Sequence, residues 1–108
     1  MGKEKKPHNF KSKAMSVKKV GSDGLFLDGQ WHIVDSKTGQ DWGHGQANIH
    51  WNIADSAMRD VMNDHLAPAV DKFNTAGPDK TVKEIFEELG MALGSLPAVI
   101  EQHVEKGA

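Results

Sequence analysis

The chain has 108 residues, room for a single domain, and a composition of 38% hydrophobic and 26% charged residues that excludes wholesale disorder. It holds no cysteine, which excludes a disulfide framework, a cysteine-based zinc knuckle and a thiol nucleophile, and fits a reducing, cytoplasmic setting. No apolar run approaches the roughly 18 residues that span a bilayer, and the lysine-rich start is followed by no apolar h-region.

The net charge of −2 conceals a polarity along the chain. Residues 1–20 carry Lys3, Lys5, Lys6, Lys11, Lys13, Lys18 and Lys19 against Glu4 alone, a balance of +6. The remainder carries six basic against fourteen acidic groups, a balance of −8. Among the lysines Phe10, Met15, Val17 and Val20 follow neither a helical nor a strand period. Residues 1–20 therefore read as a basic flexible tail, and residues 21–108 as one domain.

The domain opens with the signals of a small antiparallel β-meander, three to four strands within residues 24–53. Leu25, Phe26 and Leu27 precede Asp28-Gly29, a dipeptide suited to a two-residue hairpin turn. Residues 30–35 then read as the returning strand. Residues 36–39 form a second turn, with Gly39 at the left-handed position of a bulged hairpin. Gly43 and Gly45 predict a bend or bulge around His44. Beyond them Ala47, Ile49, Trp51 and Ile53 alternate with Asn48, His50 and Asn52, which predicts one buried and one wet face.

The remainder reads as two to three helices. The first, 55–76, is capped by Asp55 or Ser56 and carries an apolar stripe from Met58 to Phe73. Pro68 is expected to kink or split it. Thr81 and Glu84 form a capping box for the second, 81–95, and Gly94 and Pro97 are expected to separate a third, 97–106. Helices covering one face of an antiparallel sheet make the fold class α+β.

Four constellations bear on function. His32, His44 and His50, with Asp41 nearby, offer imidazoles and a carboxylate of the kind that hold zinc or a similar ion, and a turn at 36–39 sets His32 opposite Gly43 or His44. The competing reading is histidines on the wet face of a hairpin. Acid–base or nucleophilic chemistry would draw on His44 or His50 with Asp41, or on Ser56 or Ser95, but no GxSxG elbow, phosphate-binding loop or dinucleotide fingerprint is present. No cofactor is implied.

Nucleic acid is the third. The lysines of residues 1–20 suit salt-dependent phosphate contacts. Residues 81–90 and 95–107 superficially resemble the helix-turn-helix of small bacterial regulators, over about a quarter of the chain. The likeness departs where Met91 to Gly94 overfill the turn and Phe86 replaces a small residue. Glu101 and Glu105 also stand against Lys106 alone on the would-be reading helix. An αα-hairpin closing a core accounts for the same residues.

Protein contact is the fourth. Three tryptophans occur with no tyrosine. Trp31 and Trp51 have the parity of buried residues, whereas Trp42 beside the glycines suits a contact hot spot, and Met91 lies off its helix's stripe. The expectation is a non-enzymatic binding or regulatory protein of adaptor type. Its basic arm would dock on an acidic protein partner, or on a second copy; the alternatives are nucleic-acid binding through the arm and a metal-binding protein or enzyme using His32, His44 and His50, with no membrane partner.

Overall fold

The computed structural model describes residues 8–77 and 79–107. The chain runs β1 (His8–Val20), β2 (Gly24–Asp35), β3 (Asp41–Asn52), α1 (Ser56–Thr75) and α2 (Val82–Gly107). The strands form one antiparallel sheet in the order β1-β2-β3. Both helices cover the same face, an α+β arrangement, and this single helical layer leaves the molecule 16 Å across its thinnest dimension.

Residues 8–20, expected to belong to a tail, are strand β1, which pairs with β2 along almost its whole length. Two features hide the strand from its sequence. The register slips between Phe10 and Ser12, so Lys11 is bulged and Phe10 shares the inner face with Lys13, Met15 and Val17. That face also carries a charge. The ammonium of Lys13 donates to the carbonyls of Phe73 (2.7 Å), Asn74 (3.2 Å) and Ala76 (3.0 Å), the negative end of α1. Residues 1–7 of the expected tail, with Lys3, Lys5 and Lys6, lie outside the described residues.

The expected hairpin turn at Asp28-Gly29 is not a turn. β2 runs straight through it, and the chain reverses instead at residues 21–23, where Gly21 has φ 64°. Gly29 faces inward beneath Met15, and a Cβ there would stand 2.3 Å from the Met15 Sδ. The glycine makes room for a neighbour and does not supply a left-handed residue. The turn at 36–39 forms as expected, closed by Asp35 N–H to Gln40 O at 2.8 Å, with Gly39 at φ 77°.

The inner face joins Met15, Leu25 and Leu27 to Met62, Leu66, Phe73, Ile85, Leu89 and Leu96, all buried. Trp31, Ala47, Ile49 and Trp51 pack around this core, and Trp31 meets Phe86 edge-on at 5.0 Å. Asp55 caps α1, its Oδ1 accepting from Ala57 N–H (2.9 Å) and Met58 N–H (3.2 Å). The capping box at α2 is reciprocal: Glu84 N–H donates to Thr81 Oγ1 and Thr81 N–H to Glu84 Oε1.

Neither proline breaks its helix. α1 continues through Pro68, and α2 through Gly94 and Pro97, so the two expected helices at 81–95 and 97–106 are one. The helix-turn-helix likeness over 81–107 is thereby lost, since no turn exists in it. A proline inside a helix costs about 3 kcal/mol. Burying Leu96 against Leu25, Ile53, Met62 and Leu66 returns about 1.5–3 kcal/mol, and the half-buried Ile100 adds to it. Tertiary packing outweighs the local breaker.

Candidate functional site

Among the described residues, no helix or further strand covers the sheet's second face. On it lie Ser12, Ala14, Ser16 and Lys18 of β1, Phe26, Asp28, Gln30 and His32 of β2, and His44, Gln46, Asn48 and His50 of β3. This is the wet face that the alternation of β3 predicts.

The structure brings three of the four candidate ligands together. His32 and His44 are direct cross-strand partners, their rings 5.7 Å apart at 75°. Asp41 joins them through a bulge. Ile33 pairs with Gly43 and Val34 with Asp41, leaving Trp42 as the extra residue. Asp41 and His44, three apart, therefore share a face that strict alternation would deny them. Gly43 accommodates the bulge at φ 141°, and its N–H donates to Asp41 Oδ1 at 2.9 Å. His32 Nε2 lies 3.1 Å from the same oxygen. These two contacts, the histidine first, hold the Asp41 carboxyl below its ordinary range. One ligand atom from each of His32, Asp41 and His44 lies within 4.8 Å of the others.

His50 does not join them. It stacks on its cross-strand partner Phe26 at 3.8 Å and 12°, with Nε2 2.9 Å from Asp28 Oδ1. The Asp28–Phe26–His50 contact was not visible in the sequence, because it depends on β2 passing through Asp28-Gly29 without turning.

Ser95, considered as a nucleophile, meets an unexpected histidine. His65 Nε2 lies 2.8 Å from Ser95 Oγ and 3.0 Å from the Ala92 carbonyl oxygen. A carbonyl only accepts, so this nitrogen carries its proton and does not serve as a base toward the hydroxyl. Ser95 Oγ in turn donates to Met91 O at 2.9 Å. The pair latches α1 to α2. Ser56 stands exposed at the first residue of α1.

Of the lysines proposed for partner binding, Lys13 is spent on the end of α1, and Lys19 pairs with Asp60 at 2.7 Å. Lys11 and Lys18 are exposed. Trp42 is 47% exposed where β3 begins, and Met91 is 69% exposed on α2, on the helical side of the molecule.

The two sheet edges differ in kind. Asn74 at the end of α1 bonds the backbone of Met15 on β1, accepting from its N–H and donating to its carbonyl, both at 2.8 Å. The amide thus stands where a further strand would pair, and lysines flank it on β1. Along β3, among the described residues, no other segment bonds the edge that faces away from β2. Residues 42–52 also contain no Lys, Arg, Asp or Glu. No helix among the described residues is long and apolar enough to cross a membrane. Compared with protein-family models, curated proteins and solved structures, the chain has no match.

Proposed function

We propose that the chain is a non-enzymatic binding module of adaptor type that works by protein contact, taking a β-strand of a partner protein on the free edge of β3. The contrast between the edges carries this reading. A sheet edge is a row of unpaired donors and acceptors, and proteins blunt it with charge or cover when pairing is unwanted. β1 has both protections, in its lysines and in Asn74, whereas residues 42–52 contain no charged residue and are covered by no segment among the described residues. Strand addition draws affinity from backbone hydrogen bonds and specificity from flanking side chains. The exposed Trp42 supplies an aromatic anchor at one end of the edge. Lys11 and Lys18, exposed and in no ion pair among the described residues, would meet acidic groups of the partner, a weaker, salt-screened contribution.

A proline in β3 tests it. Met15 turns its N–H and carbonyl away from β2, so alternation turns those of Gln46, Asn48 and His50 outward on the opposite edge. Asn48→Pro removes one outward donor while sparing the ladder to β2. Proteins co-purified from the native host with the wild type are expected to be lost with Asn48→Pro, at unchanged far-UV circular dichroism. Equal retention by both forms refutes the edge as the docking surface. A wild type that is dimeric by light scattering and a monomeric Asn48→Pro would replace the partner strand by a second copy.

A further inference from the structure

We infer that His32, Asp41 and His44 form a binding site for one divalent transition-metal ion of borderline softness, with zinc(II) as the type case. Three observations carry it, independently of the edge of β3.

The donor set is right in kind. Two neutral imidazoles and a carboxylate are ligands suited to zinc, copper(II) and nickel(II), and less to calcium or magnesium, which prefer oxygen throughout. It is also near in space. Zinc holds nitrogen and carboxylate oxygen at about 2.0–2.2 Å, so donors around a tetrahedral ion stand roughly 3.3–3.6 Å apart. His32 and Asp41 already meet at 3.1 Å, and all three donors fall within 4.8 Å. The remaining gap is of the size a side-chain rotation covers, and His44, exposed between Gly43 and Gly45, is not crowded by its chain neighbours.

The scaffold fixes the three positions from the backbone. The cross-strand pairing sets His32 against His44, the closed turn at 36–39 delivers Asp41, and the Trp42 bulge rotates Asp41 onto their face. The Gly43 N–H on Asp41 Oδ1 is the outer-shell contact that orients a ligating carboxylate.

His44 sets this cluster apart from His50, His65 and His103. His50 and His103 are bonded to Asp28 and Asp55, and His65 to Ala92 and Ser95. His44 makes no hydrogen bond among the described residues, and its partners are the His32 ring and the Asp41 charge. A hairpin staple needs only His32 and Asp41. An ion site needs His44 as well. Three protein ligands leave a fourth position open to water, the pattern of a reactive or exchangeable zinc and not of a closed structural one.

The test is calorimetric titration of the untagged, full-length chain with zinc chloride, against three variants. The wild type is expected to saturate at one ion per chain. His44→Ala should weaken binding at least tenfold while leaving the thermal midpoint of the metal-free protein nearly unchanged, since His44 is exposed and only its edge contact with the His32 ring is lost. Asp41→Asn should also weaken binding, and His50→Gln should leave it as it was. Failure of the wild type to saturate overturns the site, as does equal affinity in His44→Ala. Loss with His50→Gln in place of His44→Ala overturns the assignment of its ligands.

Discussion

Replacing Asn74 by alanine isolates what holds β1 against the helices. The substitution removes both 2.8 Å hydrogen bonds to the Met15 backbone, and Met15 is 6% exposed. Two neutral bonds of ordinary net worth amount to about 2 kcal/mol, and a backbone donor left short of water adds to that. The expected destabilisation is about 2–3 kcal/mol. In a domain of this length it lowers the thermal midpoint by roughly 8–15 °C. Urea unfolding followed by tryptophan fluorescence reads it directly, with an unchanged m-value showing that the native fold is retained. The variant should also self-associate at high concentration, because the edge of β1 loses its cover. A loss below about 0.5 kcal/mol would refute the edge-capping role, and with it the asymmetry on which the proposed docking surface rests.

Two further outcomes follow from features already described. Pro97→Ala should stabilise the chain by about 2 kcal/mol, since the helix continues through this position and regains a donor; destabilisation in the same urea assay would show that the proline is needed where it stands. The carboxyls of Asp35, Asp41, Asp55 and Asp60 all lie below their ordinary value of 3.8, held chiefly by the Lys37 N–H, His32, the Met58 N–H and Lys19 respectively. Groups depressed in the fold stabilise it above their unfolded value, and that contribution is lost as pH falls through the lower folded values. The thermal midpoint should therefore drop below about pH 4, less steeply in Asp55→Asn; a midpoint unchanged between pH 6 and pH 3 would contradict these contacts.

What the sequence made legible was whatever local chemistry decided. The alternation of Ala47, Ile49 and Trp51 gave the inner face of β3, and the Asp55 cap and the Thr81–Glu84 box gave the starts of both helices. Residues 36–39, with Gly39 at the left-handed position, marked the second turn. What stayed hidden was decided by partners remote in the chain. β1 does not look like a strand because Lys11 is bulged and an inward lysine serves a helix end some sixty residues away. Gly29 looks like a turn residue until Met15 is seen above it. α2 looks broken until the burial of Leu96 is weighed against Pro97. The same division runs through the candidate site. His32 and His44 follow from the turn length, Asp41 requires the bulge, and His50 leaves the group for Phe26 and Asp28.

The anchoring of β1 has a consequence for how the chain is made. Lys13 and Met15 are synthesised before the groups that secure them, from Phe73 to Ala76, which emerge from the ribosome some sixty residues later. Until then the β1–β2 hairpin of a nascent chain has an unprotected margin, since the contacts that cover it are distant in sequence. Ending the protein between residues 53 and 73 would keep all three strand sequences but remove both the Asn74 cover and the core residues of α2, and the product is expected to clump during expression.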